Sequence, residues 1–241
     1  LNGANDFNSV ALATTGGGSF TAASVTDTNA LSIGGDAGAL TVVAGDTLAL
    51  TGGTYTSLNA TAKGDITQSG ALDISGASSF TVTGAAHNIT LDTQNNDFHG
   101  QSVTVNATGG GSITSFNLKD TDASALFPTL TATPTNLTLD YTAASIALPT
   151  LTLAGALNVT AVGGITIGGN VTTAGSQIYN DAVTLGANAL LDTTNAGGNA
   201  AGATIMFSST LDDAAANTHT LGLNAGTGGD ITFTGAVGGT T

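Results

Sequence analysis

Leu157–Thr166 reads LNVTAVGGIT, and this decapeptide decides the fold. Leu157 and Val159 flank the small polar Asn158, two glycines follow, and Ile165-Thr166 begins the alternation again. Successive side chains point to opposite faces of a strand, so apolar-polar-apolar predicts a half-buried strand; the paired glycines predict the turn that ends it. The unit recurs at Val103–Thr114 (VTVNATGGGSIT) and Leu221–Thr232 (LGLNAGTGGDIT), with looser copies over Leu58–Thr67 (LNATAKGDIT) and Phe80–Thr90 (FTVTGAAHNIT).

Working outward, the same alternation appears at Val10-x-Leu12, Leu40-x-Val42, Leu48-x-Leu50, Ile89-x-Leu91 and Leu137-x-Leu139. Further along it is found at Ile165-x-Ile167, Val183-x-Leu185, Ile205-x-Phe207 and Ile231-x-Phe233. No segment sustains an apolar i, i+3, i+4 pattern, so the chain reads as all-β. Starts at Leu40, Leu58, Phe80 and Val103 lie 18, 22 and 23 residues apart, and Leu137 to Leu157 is 20. A longer echo is superimposed: Asn5-Asp6-Phe7 returns as Asn96-Asp97-Phe98, Gly16–Ser19 as Gly109–Ser112, and Asp27-Thr28 as Asp120-Thr121. The offsets are 91, 93 and 93 residues, as duplication of a block of several repeats would leave.

Two architectures answer a period of about 20 residues: a solenoid of parallel strands, or an antiparallel array of small sandwiches. The steady period favours the solenoid. So does the residue between apolar positions, nearly always Thr, Asn, Ser or Ala, which tolerates an equivalent neighbour about 4.8 Å away in the next coil. The expected fold is a right-handed parallel β-helix of about 12 coils, one continuous segment over residues 1–241. Pro128, Pro134 and Pro149 are the chain's three prolines, and proline cannot donate to a ladder. They predict an irregular stretch near residues 120–150, centred on Asp120–Thr135.

Composition removes several functions. The 241 residues carry 16 Asp, no Glu, two lysines (Lys63 and Lys119), no Arg and no Cys, for a net charge of −14. Such a surface repels a phosphate backbone, which excludes nucleic acid as a partner. Arginine clamps and thiol chemistry are unavailable. Charged residues are 7% against roughly 25% in ordinary domains, while 35 Gly and 44 Thr enrich turns and strands. With 41% apolar residues and a mean hydropathy of +0.27 the chain is too apolar to stay disordered. No apolar run approaches the roughly 18 residues of a membrane helix. The sequence opens at Leu1 without a signal peptide, and both ends resemble its interior, which predicts a piece of a longer protein.

Three stretches carry a family likeness: Ser176–Thr193 (SQIYNDAVTLGANALLDT), Gly228–Gly239 (GGDITFTGAVGG) and Asn95–Val105 (NNDFHGQSVTV). With Thr204–Leu211, they resemble the shaft repeats of large bacterial exoproteins of the filamentous-haemagglutinin type. The resemblance implies a secreted right-handed β-helical shaft on the cell surface. The Asn-Pro motifs of that family's secretion domain are absent here, so the segment corresponds to shaft rather than to secretion signal.

Candidate chemistry is sparse. Asp212-Asp213 is the nearest approach to a catalytic carboxylate pair, but with no Arg and with Lys63 and Lys119 remote in sequence it reads as a solvated turn. His87, His99 and His219 lack a second His, Cys or Glu at ligand spacing, and His99 stands where the earlier block has Asn8, which suits a corner residue. Gly34-Gly35-Asp36 and Gly228-Gly229-Asp230 are isolated halves of a calcium-binding nonapeptide and read as turns. Asn59, Asn88, Asn106, Asn136, Asn158 and Asn170 head Asn-x-Thr sequons that composition explains. Thr81/Thr83 and Thr131/Thr133/Thr135 do not repeat from coil to coil as an ice-binding array requires.

The sequence therefore leads to a non-enzymatic, extracellular structural or adhesive rod, a repeat segment of a giant surface adhesin or filament. No catalytic, cofactor or metal residue is assigned; weak calcium binding at surface aspartates is allowed. The expected partners are further copies, head to tail or alongside, and surface glycans. A carbohydrate-binding or carbohydrate-cleaving solenoid is the alternative, and it requires aromatics and acids on one outer face.

Overall fold

A computed structural model describes residues 3, 5–14 and 20–239. All 26 regular elements among them are strands, and every described pairing is parallel, which establishes the stacked architecture of a β-solenoid. The alternating apolar pairs named above each fall inside a strand. The Gly16–Ser19 arm of the duplication lies outside the described residues. The chain divides into two compact units, Leu1–Pro134 and Thr135–Thr241.

The first unit stacks six coils. They hold β1 (Ser9–Leu12) and β2 (Ala22–Asp27); β3 (Leu31–Gly35) and β4 (Ala37–Ala44); β5 (Leu48–Leu50) and β6 (Gly53–Ala62). The next three hold β7 (Ile66–Gln68), β8 (Leu72–Ile74) and β9 (Ser78–Thr83); β10 (Ala86–Leu91) and β11 (Val103–Thr108); β12 (Ser112–Asp120) and β13 (Thr129–Leu130). Two sheets run along the unit, one in the order β1-β3-β5-β7-β10-β12 and one β2-β4-β6-β9-β11-β13, with β8 on the start of β6. Register pairs equivalent residues: Leu40 with Leu58, Ala60 with Phe80, Phe80 with Val105. Val42 precedes Ala60 in the same ladder, so Val42, Ala60, Phe80 and Val105 are one inward column, and all four are buried.

The second unit uses three sheets. Its coils hold β14 (Asn136–Tyr141), β15 (Ile146–Leu148) and β16 (Leu151–Leu153); then β17 (Leu157–Ala161), β18 (Ile165–Ile167) and β19 (Val171–Thr173). They continue with β20 (Gln177–Tyr179), β21 (Val183–Leu185) and β22 (Ala189–Asp192); β23 (Ile205–Phe207), β24 (Leu211–Asp213) and β25 (Leu221–Asn224); and β26 (Ile231–Phe233). The sheets are β14-β17-β20-β23-β26, β15-β18-β21-β24 and β16-β19-β22-β25. Leu139, Val159, Tyr179, Phe207 and Phe233 form one column, with the last three rings stacked at 5.1 Å between centroids. The short strands are ended by glycine corners and by Asn or Asp side chains that bind neighbouring backbone.

The period is less uniform than 20. From Leu137 the steps are 20, 20, 28 and 26 residues, because residues 193–204 and 214–230 include loops that leave the ladder between strands. Thr193 closes the first of these, its hydroxyl bound to Ala203 O and N at 2.7 and 3.0 Å. Pro128, Pro134 and Pro149 all lie outside strands, and residues 121–128 form an irregular connection before the two-residue β13.

The 91- and 93-residue echo is a structural duplication. Thr28 N and Oγ1 donate to Asn5 O at 3.0 and 2.8 Å; Thr121 N and Oγ1 donate to Asn96 O at 2.8 and 2.7 Å. Asn5 Nδ2 reaches Thr26 O at 2.8 Å, and Asn96 Nδ2 reaches Lys119 O at 3.1 Å. Asp27 accepts from Phe7 N and Asn29 N, while Asp120 accepts from Phe98 N and Asp122 N. An Asn and an Asp thus tie consecutive coils together at each corner.

Candidate functional site

The corner around Asp97 carries the densest titratable chemistry among the described residues. Asp73 and Asp97 are register partners on consecutive coils, so two carboxylates stand one ladder spacing apart. His99, at φ 50°, turns its ring between them: Nε2 lies 2.6 Å from Asp73 Oδ1 and Nδ1 lies 3.8 Å from Asp97 Oδ1. The Asp73 hydrogen bond, above all, raises the His99 pKa above its ordinary value. Asp122 on the next coil brings a third carboxylate, and the ligand atoms of Asp97, His99 and Asp122 all lie within 4.8 Å of one another. Beneath them Asp120 is buried; desolvation, with smaller contributions from Asp122 and Asp97, pushes its pKa up to about 6. His99 is a corner residue as its exchange with Asn8 implies, but it also sits among carboxylates. Sequence spacing missed this because Asp73 and Asp122 are brought in from the coils on either side.

Asp212 and Asp213 are successive residues of β24, so they leave the strand on opposite faces, and it is Asp213 that takes the inward one. Its register partners place it in the column Leu148, Ile167, Leu185, Asp213, an inward position occupied by a carboxylate. Three backbone N–H groups, from Ala215, Thr218 and His219, donate to it, and His219 Nδ1 lies 2.6 Å from Oδ1. The His219 backbone and ring bonds chiefly hold its pKa well below the ordinary carboxylate range. Beside it is a hollow of about 360 Å³ whose walls include Leu185, Leu211, Leu221 and Val237. The Asp213–His219 pair organises the 214–220 loop over the edge of the apolar core.

A group whose folded-state pKa is depressed stabilises the fold above its unfolded value, about 3.9, and that contribution is lost as pH falls through the folded value. Asp213→Asn is therefore expected to lower the urea midpoint at pH 7. Between pH 5 and 2 the wild-type midpoint falls more steeply than that of the variant. Parallel midpoint curves over this range would refute the assignment.

The other candidates take part in the corners and ladders of the coils. Asp36 Oδ1 accepts from Thr54 N at 2.9 Å, and a Cβ at Gly35 (φ +100°) would collide with Leu12 O, so Gly34-Gly35-Asp36 is a tight corner. Asp230 O accepts from Ile205 N at 2.8 Å, and a Cβ at Gly229 would strike Ala203 O. Thr81 pairs with Thr61 and Asn106, and Thr83 with Thr108, so threonine gives way to amide within the same outward column. His87 Nδ1 lies 3.5 Å from Asp65 Oδ1. Among the described residues no helix is long and apolar enough to cross a membrane.

Fold and corners together define a β-solenoid repeat protein. Over residues 37–106, from β4 into β11, the chain is similar to a family described as repeats of unknown function (DUF5649). No curated protein and no solved structure matches it.

Proposed function

We propose that the chain is a non-catalytic structural segment of a longer extracellular rod, built to extend by stacking coil on coil. The observation that carries this reading is the β26 edge. Ile231 and Phe233 continue the buried columns of Ile205 and Phe207 in register, yet are 43% and 39% exposed, and Val237 beside them is 55% exposed. Val237 also lines the hollow beside Leu211 and Leu221. A further coil in parallel register would cover these side chains and pair the open ladder. A heterologous contact of this sort does not close on itself, so its product is a filament. The shaft resemblance supports the extracellular setting, and the acidic surface supports solubility of neighbouring rods. The carbohydrate alternative is disfavoured by where most of the aromatics lie: Tyr55, Tyr141, Tyr179, Phe80, Phe98, Phe116 and Phe207 are all buried.

Sedimentation over a concentration series tests the edge. The chain should associate with rising concentration, and the double variant Ile231→Lys, Phe233→Lys should weaken that association by about tenfold or more, since each side chain otherwise gains roughly 1.5–3 kcal/mol on burial. A monomer at every concentration, or association unchanged in the variant, overturns the stacking role. Turnover of neutral or acidic polysaccharides, read as new reducing ends or unsaturated products, overturns the non-catalytic reading.

A further inference from the structure

We infer that Asp97, His99 and Asp122 form a divalent transition-metal site, best matched by zinc, with Asp73 positioning the imidazole. One ring nitrogen and two carboxylates are a zinc-type donor set. A histidine that binds a metal through one nitrogen usually gives its other N–H to a carboxylate, which fixes the tautomer. His99 has that arrangement: Nε2–H donates to Asp73 Oδ1 at 2.6 Å, which leaves the Nδ1 lone pair on the side of Asp97. The three donor atoms lie within 4.8 Å of one another. Tetrahedral zinc with bonds of about 2.0–2.1 Å holds its ligands about 3.4 Å apart, a closure that side chains at an exposed corner can make.

The duplicated block supplies an internal control. Its first copy makes the same Asn and Asp hydrogen bonds, although its backbone runs from Asn8 straight into β1 where His99 and Gly100 turn at positive φ; Asn8 stands where the second copy has His99, and Asn29 where the second has Asp122. There Asn29 Nδ2 donates directly to Asp6 Oδ1 at 2.5 Å, so a neutral amide closes the corner. In the second copy that amide is replaced by a carboxylate facing Asp97, and an imidazole is added. The hydrogen bonds shared by the two corners do not require this change, and it brings Asp97, His99 and Asp122 within reach of one ion. Asp73, Asp97 and Asp122 come from three successive coils, so a bound ion would clip those coils along the stack.

The test titrates the whole chain with zinc against a chromophoric chelator and records the thermal midpoint with and without the metal. The wild type should bind one zinc per chain and melt higher in its presence. His99→Asn and Asp122→Asn each restore a residue that the first copy tolerates; both should fold normally and bind zinc at least tenfold more weakly, with no metal-dependent rise in midpoint. Asp73→Asn keeps all three ligands and should weaken binding by a smaller factor. Zinc binding that is absent in the wild type, or that survives unchanged in His99→Asn, overturns the site. Calcium binding equal in the wild type and His99→Asn, with no preference for zinc, overturns it also, because the imidazole would then have no role.

Discussion

Asn96→Leu is expected to destabilise the first unit by about 4 kcal/mol, although leucine is apolar and the site is buried. Asn96 is fully enclosed, and its side chain meets four residues, Gln68, Leu72, Leu91 and Lys119. Its Oδ1 accepts from Leu72 N at 3.0 Å and from Gln68 Nε2, while the two hydrogens of Nδ2 go to Leu91 O at 2.8 Å and Lys119 O at 3.1 Å, with Gln68 Oε1 at 3.3 Å. Leucine removes the amide that meets the Leu72 N–H and the Leu91 carbonyl in a dry corner, at roughly 1–3 kcal/mol for each group that cannot relax to water. The equivalent Asn5 is only half-buried, so Asn5→Leu should cost about 1 kcal/mol, the net worth of an ordinary hydrogen bond. Urea unfolding followed by circular dichroism gives the midpoints, and hydrogen exchange at the Leu72 amide reads the corner directly. Equal losses for the two variants, or unchanged exchange at Leu72, would contradict the argument.

The second large effect is expected at Phe207. Its ring is enclosed between Tyr179, tilted by 13°, and Phe233, tilted by 4°, each 5.1 Å away. Truncation to alanine removes a buried ring and opens a cavity that a parallel ladder on each side prevents from collapsing, so Phe207→Ala should cost about 4 kcal/mol. Phe233→Ala removes a partly exposed ring that has one stacking partner, and should cost about 1 kcal/mol. Against a net stability of roughly 5–15 kcal/mol the first change is severe and the second tolerable. If the two cost the same, the column does not carry the stability assigned to it.

Both predictions concern side chains whose roles were legible to different degrees. Phe207 was readable as inward from Ile205-x-Phe207, because strand alternation is local and fixes the face of each residue. Asn96 was readable only as part of a repeated Asn-Asp-Phe, with nothing to say that its amide is buried. Gln177 is a similar case: it stands in line with Leu137 and Leu157, and its Nε2 binds Val171 O at 3.0 Å and Asp192 O at 3.1 Å. Both amides serve carbonyls at or next to strand ends, and which of these ends meet is set by the stacking of coils.

The Asp97 corner and the Asp213 position divide in the same way. Asp213 reads as a surface turn beside Asp212, whereas register makes it the fourth member of an apolar column, held by backbone N–H groups within six residues of it. Asp73, His99 and Asp122 are spread over 50 residues of sequence and meet because one coil advances a single ladder spacing.

The sequence by itself determined the all-β class, the parallel stacking, the inward columns and the duplication, since each follows from alternation and period along the chain. Only the tertiary structure decided how many sheets each unit has, where the loops leave the ladder, and which polar groups meet at the corners. The physical reason is distance. Alternation acts between neighbours in sequence, whereas corner contacts depend on how many residues each coil spends before returning, and that length varies with loops that no local pattern encodes.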